Sequence, residues 1–342
     1  MSKWYEDKIC DEGIVISSRI RLARNIKKYP FPEMLSKDQS EEMIKTVKEA
    51  LINDRLPIAK DFEYIEVDSL PALNKRQLME KHIISPELVS KNKPCGVLVN
   101  KDYSISIMLN EEDHIRIQTV FSGENIDKAW DLADKIDDVI EESVEYAYNE
   151  KYGYITACPT NMGTGLRASF MMHLPFLERE GQMQNILNAV NKFGVTIRGI
   201  YGEGSEALGS IYQVSNQVTM GQSEQEIIKN LKNVVSFIKE KETKLREECI
   251  SKSKVDVEDN IYRSLGIIQN ARKMSGAEAM RHISNIREGY ILGFKDLPQL
   301  KETIYSVMIN IQPGNIGISD GKAVDVNKRD ELRTDYLRKV FK

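Results

Sequence analysis

The 342-residue chain has few of the residues that build metal and covalent-catalysis sites. It carries four cysteines, at 10, 95, 158 and 249, and four histidines. The scattered cysteines offer neither paired metal-ligand spacing nor a disulfide framework, which points to a reducing cytoplasm. So few histidines make a histidine-rich metal centre a poor expectation, and no direct metal ligation by the protein is expected. No phosphate-binding G-x-x-x-x-G-K-[ST] loop is present, and neither H-R-D nor D-F-G occurs. If a nucleotide binds, other groups must replace the backbone cradle and its lysine. No apolar run reaches membrane-spanning length, and the first residues, MSKWYEDKICDEG, lack the apolar centre of a signal peptide. Net charge is −4, which argues against a general binder of phosphate backbones. Low-complexity segments and internal repeats are absent.

What is present reads as a folded protein: 41% of residues are hydrophobic and 29% charged. The length predicts two domains, or one large domain with an appendage. GIVISSRIRLARN (13–25) alternates as a strand, with Ser17, Arg19 and Arg21 on one face and Ile16, Ser18, Ile20 and Leu22 on the other. An amphipathic helix follows, then a shorter one carrying His82 near its end. GVLVN and YSISIMLN predict a hairpin. Residues 125–150 predict one long helix, with apolar positions continuing to 144 and 147. YITAC and LRASFMMHL predict strands on either side of the glycine turn. A helix, the strand VTIRGIY, the glycine loop GEGSEALGS and the strand IYQVSNQVT complete a mostly antiparallel α+β domain flanked by helices. After about residue 222 the pattern becomes helical, and a boundary is expected near 250–255. The expected domains are 1–252, catalytic, and 253–342, all-helical. Apolar stripes in SLGIIQNA and LPQLKETIYSVMINI suit a homodimer interface or internal packing equally.

Three constellations carry chemistry. Arg19, Arg21, Arg116, Arg167 and Arg198 fall on or at the ends of predicted strands. Guanidinium groups inside an α+β core are costly unless anions compensate them, and their forks match phosphate oxygens. Pairing with carboxylates at a sheet edge explains any single one, but five beside glycine loops favour a polyphosphate. Glu111, Glu112 and Asp113 follow an apolar strand, and Glu203 sits in the second glycine loop. Carboxylates so placed can act as a general base and its partner, or hold Mg²⁺ or a cationic substrate; a solvated turn is the commoner reason for such a run. Cys158 opens the turn CPTNMGTG. A lone cysteine is usually a small buried hydrophobe. A reactive one needs a positive neighbour, which Arg167 or a cationic substrate could supply. His114 and His173 carry no protease-like signature, so a cysteine hydrolase is a poor fit. Nucleic-acid binding through SRIRLARN is disfavoured by the strand, the missing aromatics and the negative net charge.

SSRIRLARN, NEEDHIRIQ, CPTNMGTGLRAS and a strand ending in Arg198 before a glycine loop occur in the order found in the phosphagen (ATP:guanido) kinase superfamily, which this chain resembles over roughly 14 to 220. Within it, the chain looks most like the bacterial protein-arginine kinases. Only sixteen residues precede Ser17, where the small-molecule enzymes carry a helical domain, and a helical C-terminal domain is present instead. RGIYGEGSEALG, SEQEII and the final RDELR extend the match.

The resemblance implies a nucleotide lying against Ser17, Ser18, Arg19, Ile20, Arg21, His82 and Arg116. It continues over Arg167, Ala168, Ser169, Phe170 and Met171, and over Arg198, Gly199, Ile200, Tyr201, Gly202 and Glu203. It also implies Glu112 as the carboxylate that accepts or orients the guanidinium proton, Glu203 as a second grip, and Cys158 beside the reacting nitrogen. ATP and Mg²⁺ would be required. RDELRT (329–334) would provide a phosphoarginine pocket through Arg329, Asp330 and Arg333, with Thr334 in place of the family's alanine. By the same resemblance, partners would be arginine-bearing protein substrates, an activating zinc-binding protein, a Clp unfoldase–protease and a heat-shock repressor. The expected reaction is ATP-dependent phosphorylation of protein arginine, marking proteins for degradation under stress. A free-guanidino kinase and a phosphoarginine-binding adaptor are the alternatives.

Overall fold

The computed structural model describes residues 2–51, 60–199, 207–319 and 322–342. In chain order the strands are β1 (Val15–Arg24), β2 (Glu63–Glu66), β3 (Gly96–Val99), β4 (Ile105–Leu109), β5 (Ile115–Ser122), β6 (Tyr148–Asn149), β7 (Gly153–Tyr154), β8 (Leu166–His173), β9 (Val195–Arg198), β10 (Ile211–Asn216), β11 (Ile318–Ser319) and β12 (Lys322–Ala323). The helices are α1 (Ile9–Glu12), α2 (Lys37–Leu51), α3 (Ala72–Glu80), α4 (Pro86–Ser90), α5 (Ile126–Glu141), α6 (Pro175–Arg179), α7 (Met183–Asn191), α8 (Glu224–Asn270), α9 (Gly276–Ile291), α10 (Ile304–Asn310), α11 (Pro313–Ile316) and α12 (Val326–Val340). The main sheet has eight strands in the order β2-β3-β4-β5-β1-β8-β10-β9. Its pairs from β2 to β1 are all antiparallel.

Two compact units emerge: Met1–Trp4 with Ser17–Phe170 and Ser215–Lys232, and Tyr5–Ile16 with Met171–Val214 and Asn233–Lys342. In the first, register sets which side chains share a face. Arg19 lies opposite Val120, Arg21 opposite Gln118 and Ala23 opposite Arg116 on antiparallel β1 and β5. Directly opposed residues project to the same side, so Arg19, Arg21, Arg116 and Gln118 share one face. The other face carries the fully buried Ile20, Leu22 and Ile117, each worth about 1.5–3 kcal/mol when removed from water. The Thr119 hydroxyl donates to the Ala129 carbonyl at 2.7 Å, tying this face to α5. On the arginine face, farther along the sheet, Val97 and Met108 form a core with Val67, Ile83, Ile84 and Leu88, around the segment that carries His82.

Three expectations need correction. Helix α5 ends at Glu141, short of 150. The Ala147 amide donates to the Asn25 carbonyl at 2.7 Å and the Lys27 amide to Glu145 at 2.9 Å, so pairing with the chain after β1 claims these groups. The Tyr146 hydroxyl also donates to Asp137 at 2.9 Å, turning the chain back along the helix. Second, of YITAC only Tyr154 is in a strand. The Ala157 amide goes to the Asp113 carboxylate instead of to a ladder. Third, the C-terminal region is not wholly helical, because β11 and β12 form a two-residue antiparallel pair.

In the second unit, α9 carries the buried Ile283 and Ile286, and α10 contributes buried Ile304, Val307, Met308 and Ile309. Of the two uses open to that α10 stripe, the structure shows internal packing. Helix α8 is broken at Ser253, where φ is −146° and ψ 48°. Asp11 accepts from the Ile304 and Tyr305 amides at the start of α10, and Arg287 donates to the Cys10 and Gly13 carbonyls. Among the described residues no helix is long and apolar enough to cross a membrane.

Candidate active site

In the first unit Arg19, Arg21 and Arg116 share one face of the sheet, and Arg167 acts on Arg21 from β8. Arg21 is the focus of the charge. Burial, followed by repulsion from Arg19, Arg116 and Arg167, pushes its guanidinium well below its ordinary value, and Glu111 alone opposes this. Its Nε is buried without a hydrogen-bond partner. A buried cationic donor among three like charges is unfavourable unless an anion completes the site. The Arg19 Nε reaches the Ser169 hydroxyl on β8 at 3.4 Å. The same strand carries Arg167, half-buried, and the buried Ala168 and Phe170. Asn216 brackets this strand: its Oδ1 accepts from the Ala168 amide at 2.8 Å and its Nδ2 donates to Leu166 at 3.0 Å.

Ser17 and Ser18 are both buried; Ser17 shares the arginine face, and Ser18 and Ile20 face the opposite side. The Ser18 hydroxyl donates to Gly123 at 2.6 Å and accepts from the Asn125 amide at 2.9 Å, which holds the β5–α5 turn. His82 has φ +59°, a left-handed conformation rare for a non-glycine residue. That turn aims its carbonyl at Gln118 Nε2, 2.7 Å away on the arginine face. Gln118 also donates to the Ser106 hydroxyl at 2.8 Å. Burial, and then Arg19, push the His82 imidazole down to about 3, so it is neutral near pH 7.

The acidic run separates into three roles. Glu111 is fully buried, pairs with Arg116 at 2.6 Å, and accepts from the Ser85 hydroxyl and the Glu112 amide. Asp113, also fully buried, accepts from Asn25 at 2.6 Å and the Ala157 amide at 2.7 Å, fixing the backbone just before Cys158. Its Oδ2 is buried without a partner. Glu112 keeps 36% of its side chain exposed. Its Oε2 takes both Arg116 at 3.2 Å and Asn161 at 3.3 Å, which leaves Oε1 for a further cation. Burial, with Asp113 and Glu111 adding, raises the Glu112 carboxyl above its ordinary value of 4.5 despite Arg116. A raised carboxylate at a partly open site is suited to proton transfer.

Cys158 is half-buried, with Sγ 3.1 Å from the Thr160 hydroxyl. The turn after it is packed tightly. Gly163 has φ +106°, and a Cβ there would lie 2.3 Å from the Thr219 carbonyl; Gly165 has φ +64°, and a Cβ would lie 2.6 Å from the Ala23 carbonyl. The two glycines therefore serve close backbone approach, and the turn carries Asn161 to Glu112.

Other expected residues fall elsewhere. Met171 lies in the second unit, where the Tyr305 hydroxyl contacts its sulfur at 2.8 Å. Arg198 ends β9 and Gly199 follows it, both in that same unit. Ile200, Tyr201, Gly202 and Glu203 lie outside the described residues. In the C-terminal motif, Arg333 is buried and donates to the Ile311 and Met274 carbonyls at 3.0 and 2.8 Å and to Asp330. Thr334 is buried and donates to the Arg272 carbonyl at 2.8 Å. The Arg329 Nε is buried without a partner.

Sequence reasoning passed over Arg24, Asn161, Gln118 and Asn25. Strand parity signals two of them: Gln118 shares the arginine face through its register, and Arg24 falls on the apolar face, which marks it as a buried ion pair. Nothing local signals Asn161 or Asn25.

His114 is structural. Its Nδ1 accepts from the Ile26 amide at 3.0 Å and its Nε2 lies 2.9 Å from the Pro30 carbonyl, so the proton is on Nε2. Burial pushes it down to about 4. His173 and His282 are likewise lowered, chiefly by burial. No imidazole is therefore expected to titrate between pH 6.5 and 8 in the folded chain. NMR titration of the four rings checks this, and a transition near pH 6.5 at His82 or His114 would contradict the burial described.

Comparison with known proteins places these features. The ATP:guanido phosphotransferase C-terminal catalytic domain matches residues 42–245, and the C-terminal domain of the protein-arginine kinase McsB matches 254–342. A protein-arginine kinase from Caldanaerobacter subterraneus is 46% identical over 329 residues, covering 96% of each chain. One from Clostridium acetobutylicum is 42% identical over 341 residues, covering 99% of each. Among solved structures, the duplicated taurocyamine kinase of Schistosoma mansoni matches with TM-score 0.62 and 26% identity, over 71% of this chain and 35% of that one. A lombricine kinase shares the fold at TM-score 0.60, over 75% of this chain and 74% of that one.

Proposed function

Because the chain belongs to the ATP:guanido phosphotransferase family, in its protein-arginine kinase branch, we propose that it transfers the γ-phosphoryl group of ATP to arginine side chains of proteins through the Arg21 and Glu112 face of its sheet. The observation that carries this reading is the side-by-side arrangement of opposite charges. Three guanidinium groups, those of Arg19, Arg116 and Arg167, crowd Arg21, and one partly exposed carboxylate, Glu112, stands beside them on Arg116.

Phosphoryl transfer depends on positioning and charge neutralisation more than on covalent chemistry. Arg19, Arg21, Arg116 and Arg167 neutralise the triphosphate, completing the unpartnered Arg21 Nε. Arg198 and the 199–203 segment, with Ser17, Ser18, His82 and 168–171, belong to this nucleotide site by family resemblance. Mg²⁺ would come with the nucleotide. When bound, it offsets phosphate charge.

The acceptor is the harder problem, because a guanidinium is cationic and a poor nucleophile. Glu112 Oε1 receives the cation, aligns its terminal nitrogen and takes a proton from it. A nitrogen–phosphorus bond forms as the bond from γ-phosphorus to the bridging oxygen breaks, and ADP leaves with that electron pair. Glu203 would grip the guanidinium from the other side. By family resemblance Cys158 would stand beside the reacting nitrogen, a reading supported by the Asp113–Ala157 bond that fixes the backbone just before it. Cys158→Ser is expected to lower kcat at least tenfold with nucleotide affinity unchanged; full activity would remove the thiol from the mechanism.

The division at 252/253 belongs to the same proposal, supported by the break at Ser253. A phosphoarginine role for Arg329, Asp330 and Arg333 is supported by the unpartnered Arg329 Nε. Mass spectrometry under non-acidic conditions, after incubation with ATP, Mg²⁺ and a denatured protein, tests the reading. Phosphoarginine in the protein is expected, and turnover of free arginine alone would overturn it.

A further inference from the structure

On the far side of the Cys158 turn lies an open cavity of about 690 Å³ within the first unit, walled by Gly163, Thr164, Tyr148, Tyr152, Glu141 and Glu224. Two features make it unusual. The first is aromatic. Tyr148 and Tyr152 are 58% and 42% exposed, and Tyr148 stands edge-on to Tyr154 at 5.3 Å. The inner face of Tyr154 already holds a cation, with the Arg24 guanidinium 3.5 Å from the ring centroid, and Lys151, which also lines the cavity, lies 5.2 Å over Tyr152. The second is charge. Glu141 and Glu224 make no ion pair with any described residue. Helix α5 ends here with no base in its last turn, so its carbonyl pole adds to the negative potential. Glu226 is already engaged by the Ser223 amide and hydroxyl.

We propose that this cavity is a subsite for a second cationic side chain, lysine or arginine, carried by the protein substrate a few residues from the arginine that receives phosphate. The inference rests on the protein-substrate reading above. Exposed tyrosine faces and unpaired carboxylates together recognise an ammonium or guanidinium group. The cavity is joined to the chemistry by one short turn: Gly163 lines it, and Asn161, two residues earlier, holds Glu112 at 3.3 Å. Gly163 is five residues beyond Cys158, so at most roughly 18 Å of chain separates them. A substrate segment of about five residues spans that distance.

The test uses the full-length chain, ATP and Mg²⁺, with peptides holding one acceptor arginine and either lysine or glutamine one to five residues away. At the productive spacing, kcat/KM is expected to be about five- to tenfold higher with lysine, through KM and not kcat. In the double variant Tyr152→Ala, Glu224→Gln that preference is expected to vanish while the glutamine peptide reacts at the unaltered rate. Equal kcat/KM for the two peptides at every spacing, or a preference that survives in the variant, would overturn the subsite. Phosphorylation of free arginine with no peptide turnover would instead overturn the protein-substrate reading, and the subsite with it.

Discussion

Glu112→Gln is expected to lower kcat for arginine phosphorylation by roughly 100- to 10,000-fold, the range of a positioned general base. Nucleotide affinity should change little. The amide still offers an oxygen to Arg116 and Asn161, and Glu111 still neutralises Arg116 at 2.6 Å. What disappears is the proton acceptor and the negative charge beside the cationic substrate. The pH profile supplies a second readout. Glu112 must be ionised to work, and burial, aided by Asp113 and Glu111, holds its carboxyl above 4.5. Below that raised value it is protonated, so kcat/KM falls as pH drops through it. The neutral histidines do not supply this limb, since His82 and His114 are pushed down to about 3 and about 4. Undiminished phosphorylation by Glu112→Gln would remove it from the role of base.

Arg24→Ala is expected to destabilise the first unit by about 3–5 kcal/mol, the cost of stranding one member of a buried ion pair. Arg24 is 2% exposed and donates through Nε and NH2 to Asp137 at 2.9 and 2.6 Å. Its NH1 serves the Ala23 and Thr164 carbonyls at 3.0 and 2.9 Å, and its guanidinium lies against Tyr154. Alanine leaves Asp137 buried without its cation, two carbonyls without this donor, and a void. Against a typical total stability of about 5–15 kcal/mol this is a large loss. Urea denaturation followed by tyrosine and tryptophan signals would measure it. The double variant Arg24→Met, Asp137→Leu is expected to recover much of the loss, because the stranded charge is gone. A change below about 1 kcal/mol in Arg24→Ala would show that the pair is not an anchor. Thr164 lies in the turn that bears Cys158 and Asn161, so Arg24→Ala should also weaken catalysis in molecules that remain folded.

Strand β1 was legible because alternation has a strict period of two. Ser17, Arg19 and Arg21 lie on one face and Ile20 and Leu22 on the other, as the pattern requires. The same pattern, applied one step further, assigns Arg24 to the apolar side. The end of α5 was not legible. Val144 and Ala147 continue the helical period, yet the chain leaves the helix at Glu141 because Asn25 and Lys27 compete for its backbone groups. That competition pairs residues more than a hundred positions apart, beyond any local window. The irregular path of Ile155–Cys158 has the same origin, with Asp113 taking the Ala157 amide.

The sequence by itself determined which chemical types are available. It contains arginines at strand positions, a run of three acids after an apolar strand, and a cysteine before a glycine turn, in an order shared with one family. Only the tertiary structure decided how the three adjacent acids divide their work. Glu111 neutralises Arg116, Asp113 holds the cysteine turn, and Glu112 alone of the three keeps part of its carboxylate exposed. Neighbours in sequence share composition and local propensity, so nothing along the chain separates them. Burial and partners separate them, and both are set by the packing of strands and turns that are distant in the chain.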